Sequence, residues 1–436
     1  MSDTYINGLL SFIEKSPTSF QAVQNTIELL SEQGFERLDE SVSWNLVEGG
    51  RYYVTRNESA IIAFRIPCKS YRGFQIISSH GDSPSFKVKE NPEIRVENHY
   101  VKLNVEKYGG MICAPWFDRP LSVAGRVVVE TDSGLETRFI HIDRDLLIIP
   151  NLAIHMNREV NDGYTFNLQK DLLPLWSDGH SKESFLELLA KEVNVQPNQI
   201  KGSDLFLYNR MRGSIWGTES EFISAPRLDD IECAYASLQG LLQSNGSDSV
   251  AVHCMLDNEE VGSASKQGAA STFLSNVLHR INSAMGRSEE AYMMSLSNSF
   301  MISADNAHAV HPNYADKTDP TNRPFINEGI VIKHSANQKY TTDAVSDAVF
   351  RCICESVEAK YQHFHNRSDM LGGSTLGNIS NAQVALNTVD VGLPQLAMHS
   401  PYETAGVRDF IDFIHVSKKF YNTSIAYENG KLLIKE

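Results

Sequence analysis

Five short acidic or histidine-bearing segments stand where apolar, β-rich runs stop: Ser79-His80-Gly81-Asp82, Arg227-Leu228-Asp229-Asp230, Asp257-Asn258-Glu259-Glu260, Ser303-Ala304-Asp305-Asn306 and Ala397-Met398-His399-Ser400. In open α/β sheets ligands bind beyond the carboxyl ends of the strands, so such ends can aim their polar groups into one crevice. Neutral imidazole and carboxylate oxygen are the usual ligands of catalytic zinc, and two ions roughly 3.5 to 4 Å apart can share a bridging carboxylate while activating a water. The residue types match that chemistry. In Glu259-Glu260, adjacent side chains on an extended segment point to opposite sides, so one can bind metal while the other takes a proton from the water.

The elements that must position these groups follow from periodicity. Ile6 to Gly34 carries apolar residues at helical spacing broken by Ser16-Pro17-Thr18, which predicts two helices. Tyr52 to Val54, Ala60 to Ile66 and Phe74 to Ser78 are β-rich, and the third runs into His80. From about residue 92 to 222 the texture changes to short strands (Tyr100 to Val105, Ser122 to Glu130, Thr137 to Ile142) and a partly helical stretch from Asp178 to Asn198. This reads as an inserted β-rich domain, with 1–91 and 223–436 forming the catalytic domain. From Phe222 onward strand and helix alternate: Phe222 to Ser224, helix Ile231 to Gln243, strand Val250 to Leu256, helix Ser271 to Met285, strand Phe300 to Ser303, helix Ser346 to Tyr361, strand Val384 to Val391. That alternation predicts an α/β layered domain with a largely parallel sheet.

Composition narrows the function classes. The chain has 436 residues and a formal charge of −15 from 39 Lys and Arg against 54 Asp and Glu, with no basic run to offset it locally, which argues against nucleic acid as a partner. The longest apolar stretches, around Leu146 to Ile154, fall far short of the roughly 18 to 20 residues of a membrane-spanning helix. The N-terminal residues carry no secretory pattern, and the six cysteines, at 68, 113, 233, 254, 352 and 354, form no C-x-x-C pair. The expectation is a cytoplasmic protein without a cysteine-based zinc site. His-Glu-x-x-His, Walker, G-x-S-x-G and nucleotide-fingerprint motifs are absent, which removes helix-borne single-zinc proteases, P-loop enzymes and the usual serine hydrolases.

Ordered motifs along nearly the whole chain resemble the aspartyl aminopeptidases, dinuclear zinc metallopeptidases of the co-catalytic aminopeptidase clan. They include Ser16-Pro17-Thr18, Gly50-Arg51-Tyr52-Tyr53, Ala114-Pro115-Trp116-Phe117-Asp118-Arg119, Ile149 to His155, Ala225-Pro226-Arg227-Leu228-Asp229, Asn258-Glu259-Glu260-Val261-Gly262-Ser263, Ser303 to His308 and Pro394 to Ser400. The resemblance implies a peptidase-like α/β/α domain with an inserted dimerisation domain, two divalent ions per subunit (zinc, with cobalt or manganese as substitutes), and dimers assembling into a homo-dodecamer. It implies that His80 and Asp305 bind one ion, Glu260 and His399 the other, and Asp229 both. Glu259 would be the general base and Asp82 would orient His80. His155 resembles a histidine that reaches into a neighbour's active site, and Lys333 one that contacts an acidic substrate side chain. Peptides with an acidic N-terminal residue are then the expected substrates. The familiar His-Thr-Asp-Ser-Pro reads His80-Gly81-Asp82-Ser83-Pro84 here, Arg-Leu-Asp-Asn reads Arg227-Leu228-Asp229-Asp230, and Ser-Ile-Arg-Glu reads Ser400-Pro401-Tyr402-Glu403. The last change removes an arginine near the site.

Other residues read in two ways. Asp229 alone suits a helix N-cap before Ile231, and Glu259-Glu260 alone a solvated turn. His308 and His311 read as structural despite their His-x-x-His spacing, and His253, inside an apolar strand, as a hydrogen-bonded core histidine. The Gly372-Gly373-Ser374 loop is either a plain lead-in to a helix or a backbone cradle for substrate, and Tyr340 either a surface tyrosine or pocket lining. Lys333 without the resemblance is a strand-end surface lysine, and His155 a loop histidine. Two rival functions use the same residues: an amidase or deacylase acting on non-peptide amides, and an oligomeric homologue that has lost turnover.

Overall fold

The computed structural model describes residues 2–370 and 372–435. A nine-stranded sheet runs in the order Glu36–Leu38, Arg51–Arg56, Ala60–Arg65, Val250–Leu256, Phe74–His80, Phe300–Ala304, Asn387–Gly392, Ile330–His334, Tyr361–His365. Its four central strands, from Val250–Leu256 to Asn387–Gly392, are mutually parallel, so their carboxyl ends lie on one edge. Side chains alternate across the sheet as the two-residue period of a strand requires. Ile61, Ala63, Ile77 and Ala251 enter one core, under the helices Ser2–Lys15, Ser19–Glu32, Leu228–Gln243 and Val407–Tyr421. Ile62, Phe64, Ile76 and Val252 enter the other, under Phe273–Ala284 and Glu289–Ser297. The domain is therefore an α/β/α sandwich. Gly240 allows the two longest helices to meet closely, since a Cβ there would stand 2.5 Å from Ser417 Cβ.

The insert is β-rich, as expected, and wholly antiparallel. Its six strands run in the order Gly134–His141, Leu121–Thr131, Ile200–Asn209, Ser85–Val96, Tyr100–Tyr108, Leu175–Ser177. Phe86, Val105, Val123, Leu205 and Leu207 build a separate core with Phe185, Leu188 and Leu189 of the helix Phe185–Glu192. Ser184 and Glu187 close a capping box at the start of that helix, satisfying backbone donors that the first turn leaves unpaired. The first strand of this sheet begins at Ser85 and the last ends at Asn209, ahead of residues 92 and 222 respectively.

Three expectations need correction. The segment Phe222–Ala225 does not join the central sheet; it belongs to a five-stranded sheet with Ser214–Trp216, Glu403–Gly406, Pro394–Leu396 and Ala307–His308. That small sheet ties together the chain around Asp229, Asp305 and His399. The helix expected from Ser346 to Tyr361 spans Ala344–Ser356. It stops because Glu358 adopts φ 57° and the N–H groups of Val357 and Ala359 both bond the Cys354 carbonyl, turning the chain into the edge strand at Tyr361. The last central strand starts at Asn387, with Leu386 still anchored to the Asn381 side chain.

Candidate metal centre

His80 closes the strand Phe74–His80 and is 1% exposed. Its backbone N–H donates to Asp230 Oδ2 at 3.0 Å, and its Nδ1 stands 3.1 Å from the Asp82 carbonyl oxygen and 3.4 Å from Asp82 Oδ1. Held on that side, the ring presents Nε2 to Asp229 Oδ1 at 3.4 Å and Asp305 Oδ1 at 3.8 Å. Across the crevice, His399 Nε2 lies 3.5 Å from Asp229 Oδ2 and 3.4 Å from Glu260 Oε2. The two oxygens of Asp229 thus face different histidines, each accompanied by one further carboxylate.

The Asp229 backbone is not the helix N-cap that its neighbourhood suggested. Arg227, at φ 58°, stands in that place, while Asp229 and Asp230 keep non-helical angles at the head of Leu228–Gln243. Glu259 and Glu260 also differ from expectation, because they lie in a 3₁₀ turn rather than an extended segment. Asp82 draws the turn tight: its Oδ1 accepts the Glu259 N–H at 3.1 Å and its Oδ2 the Glu260 N–H at 3.2 Å. The two glutamates still separate in role, since Glu260 faces His399 while the Glu259 carboxylate makes no hydrogen bond to a described residue.

Sequence reasoning missed several supports. Glu403, fully buried, accepts the His399 N–H at 2.8 Å and the Asp229 N–H at 3.0 Å, so one carboxylate sets two of the five residues. It ends the segment Ser400-Pro401-Tyr402-Glu403, whose sequence signal is the missing arginine rather than the retained glutamate. Tyr108 O–H donates to Asp82 Oδ2 at 2.7 Å, and the Ile112 N–H bonds the His399 carbonyl, so the insert braces the crevice. Gly392 permits the closest approach: a Cβ would fall 1.9 Å from the Asp305 carbonyl oxygen.

The electrostatics are those of anions in need of cations. Burial, reinforced by the charges of Asp305, Asp82 and Asp229 and only partly offset by His80, raises Glu259 to about 8, a shift that divalent cations bound in the crevice would oppose, returning the carboxylate to the ionised form a base needs. Burial and Asp229 push Glu260 well above the ordinary carboxylate range. Burial pulls His80 downward, but the carboxylates of Asp229, Asp305 and Asp82 hold it well above the usual imidazole value. Asp229 Oδ1 and Glu260 Oε1 are buried and accept no hydrogen bond, a costly state for a carboxylate oxygen. His80, Asp229 and Glu260 bring one ligand atom each within 4.8 Å of one another, and so do Asp229, Asp230 and Asp305. A mixed set of imidazole nitrogens and carboxylate oxygens, orphaned in this way, fits divalent zinc.

The remaining candidates divide. Lys333 is 3% exposed, not a surface lysine; its Nζ donates to the Asn306 carbonyl at 2.8 Å and lies 3.8 Å from Asp305 Oδ2. Burial raises Asp305, but Lys333 and then His80 outweigh it and hold that carboxyl down at about 2. Tyr340 is also buried, packed with Ala307, Val331 and Phe364, its ring 5.7 Å from Lys333 Nζ. Gly373 is exposed, and no described contact joins it to the cluster. His155 is exposed on the turn after Ala153 and makes no hydrogen bond or ion pair to a described residue. His308 packs edge-on against Phe364, and His311 Nδ1 accepts the Asn313 N–H. His253 is only half satisfied: its Nδ1 meets Ser237 Oγ at 3.0 Å, while its Nε2 is buried without a partner, on the sheet face it shares with Ala63, Ile77, Ala251 and Met255.

Comparison with known proteins gives a consistent picture. Residues 12–421 match the family model described as aminopeptidase I zinc metalloprotease (M18). The chain is 48% identical over 426 residues to a probable M18 family aminopeptidase 2 of Clostridium novyi (strain NT), covering 96% of this chain and 98% of that protein. It is 41% identical over 425 residues to the protein of the same description from Pseudomonas aeruginosa (strain UCBPP-PA14), with 96% and 98% covered. Among solved structures, it is similar to a chain in the cryo-EM structure of the Ape4 and Nbr1 complex, with TM-score 0.93 and 36% identity over 96% of this chain and 86% of that one. It is also similar to the S. cerevisiae mApe1 dodecamer, with TM-score 0.84 and 26% identity over 96% of both chains.

Proposed function

Because the chain belongs to the M18 family of zinc metallopeptidases and is a metal-dependent aminopeptidase, we propose that it releases N-terminal Asp or Glu from peptides at a two-ion centre. His80 and Asp305 would hold one ion and Glu260 and His399 the other, with Asp229 available to both. The observation that carries this reading is the placement of Asp229, one oxygen toward His80 and the other toward His399. When bound, such ions polarise a scissile carbonyl and lower the pKa of water toward 7.

The protein's own groups do the rest. Glu259, with no hydrogen bond to spend its oxygens on, takes a proton from the attacking water and returns it to the leaving amine. Asp82 fixes the His80 ring and the Glu259 backbone at once, so the base and one ligand share an anchor. Lys333 supplies the positive charge that an acidic substrate side chain needs in a protein of net charge −15.

Assembly belongs to the same reading. Leu152, Ile154 and Met156, 55%, 48% and 76% exposed, flank His155, and apolar side chains clustered in this way suit a surface covered by another subunit. We place His155 at a neighbour's active site in a homo-oligomer, with residues of the insert pairing subunits and dimers building a dodecamer like that of mApe1. A cytoplasmic location accords with six free cysteines. No helix among the described residues is long and apolar enough to cross a membrane.

The deciding experiment is metal analysis of the purified protein coupled to a panel of aminoacyl, peptide and N-acyl amide substrates. Two ions per subunit with fastest release of Asp and Glu is the expected result. Cleavage confined to N-acyl amides would replace the peptidase reading with a deacylase.

A further inference from the structure

A second group of metal-ligating side chains lies elsewhere in the fold. His334 ends the strand Ile330–His334 and pairs in register with His365, while Ile332 pairs with His363. Strand alternation sets His363, His365 and His334 on one face, and Lys333, one residue earlier, on the face that meets Asp305. Asp347 comes to the histidines from the first turn of the helix Ala344–Ser356. That turn is fixed, because Asp343 Oδ1 accepts the N–H groups of Val345 and Ser346 at 3.0 and 2.8 Å.

We propose that His334, Asp347 and His363 form a further metal site, separate from the two-ion centre, that takes a divalent transition ion of the zinc class. Three observations carry it. His363 Nε2 stands 3.1 Å and His334 Nε2 3.9 Å from the same oxygen, Asp347 Oδ1. Ligand atoms about 2.1 Å from a tetrahedral ion are separated by about 3.4 Å, so the two spacings bracket that of a bound zinc. All three residues bring one ligand atom within 4.8 Å of the others. Finally, His334 Nε2 is buried with no hydrogen-bond partner, although it points toward the carboxylate. A nitrogen in that state is what an incoming ion would satisfy.

The surroundings favour the ligand forms. Burial lowers His334, Asp347 opposes that, and the rings of His365 and His363 reinforce it, so the net shift is toward neutral imidazole. His365 stacks flat on His334 at 5.1 Å and holds its plane. Arg351 reaches Asp347 through the other oxygen, Oδ2, at 3.9 Å, leaving Oδ1 to the histidines. Two nitrogens and one oxygen suit zinc, copper or nickel, whereas calcium and magnesium prefer oxygen alone. Such an ion would clip the outermost strand, Tyr361–His365, to the helix beside it, with a fourth coordination position left to water.

Zinc counting tests this on the intact enzyme. After equilibration at low micromolar free zinc, wild type should hold one equivalent per subunit more than His363→Ala, whatever the occupancy of the two-ion centre. Peptide turnover in His363→Ala should stay within about twofold of wild type, and His399→Ala should keep this equivalent while losing zinc from the other centre, so the two readings fail separately. Equal zinc content in wild type and His363→Ala overturns the proposal. If His363→Ala does not fold, anomalous diffraction at the zinc edge from zinc-soaked wild-type crystals decides. A peak between His334, Asp347 and His363 supports the site, and its absence with the two-ion centre filled overturns it.

Discussion

Asp82 holds Glu259 by its backbone: the oxygen that stands 3.4 Å from His80 Nδ1 also accepts the Glu259 N–H at 3.1 Å. The second oxygen takes the Glu260 N–H and the Tyr108 hydroxyl. Removing this carboxylate should loosen the proposed ligand His80 and the proposed base Glu259 together. Partners that orient metal ligands contribute about 10- to 100-fold, so Asp82→Ala is expected to weaken zinc binding and lower kcat each by about that factor. Equilibrium dialysis with zinc, run beside turnover assays, checks both. An unchanged zinc affinity would mean that His80 is oriented by other contacts.

Glu259→Gln keeps the size of the side chain and removes its capacity to accept a proton at neutral pH. Zinc content should remain at the wild-type level while kcat falls by roughly 10² to 10⁴, the usual share of general base catalysis. Near-normal turnover in this variant would sink the assignment of Glu259 as base.

Lys333→Met distinguishes charge reading from support of Asp305. Charge-assisted hydrogen bonds contribute about 1.5 to 3 kcal/mol, so kcat/KM for Asp- and Glu-terminated substrates should drop by about one to two orders of magnitude, with neutral substrates spared. The buried position of Lys333, 3.8 Å from Asp305, makes the alternative concrete. Equal losses on both substrate classes, accompanied by loss of zinc, would assign the lysine to Asp305 alone.

The exposed His155 gives a complementation test. His155→Ala should slow catalysis without loss of zinc, and mixed assemblies of that variant with Glu259→Gln should regain activity that neither has alone. No recovery in assemblies proven by mass to be mixed would place His155 outside any active site.

His253 makes stability depend on pH away from the catalytic crevice. Burial pushes it down to about 3, so the folded chain keeps this ring neutral while the unfolded chain binds a proton near pH 6.5. The unfolded state therefore gains protons first as pH falls, and stability present above 6.5 is lost on the way toward 3. Each pH unit in that window is worth about 1.4 kcal/mol, or about 2 kcal/mol between 6.5 and 5. Urea unfolding of His253→Leu should show a slope shallower than wild type by that amount; identical slopes would mean that the ring does titrate in the folded state.

The parts of this protein that announced themselves were those written in one short segment. The apolar runs ending at His80, Leu256 and Ala304 are buried on both faces, so continuous hydrophobicity marked the central strands and the polar residues after them marked the crevice. The supports did not announce themselves, because they act across long separations. Glu403 reaches Asp229 over 174 positions and Tyr108 reaches Asp82 from the insert, and neither pairing has a local spacing. The 3₁₀ turn at Glu259 was hidden for the same reason, as Asp82 imposes it from the loop that follows another strand. The strand Tyr361–His365 was masked by the helical periodicity that leads into it, and the long helix Val407–Tyr421 and the hairpin after it passed unnoticed among more polar residues.

The five central residues enter the chain at 80, 229, 260, 305 and 399. At a synthesis rate of about 5 to 20 residues per second, His399 leaves the ribosome on the order of half a minute after His80. A nascent chain that already carries the first four of these residues still lacks the fifth, His399, which we propose as a metal ligand. On the proposed reading the peptidase is thus built switched off, and it acquires the means to cut peptide bonds only after the residue at 399 has been made.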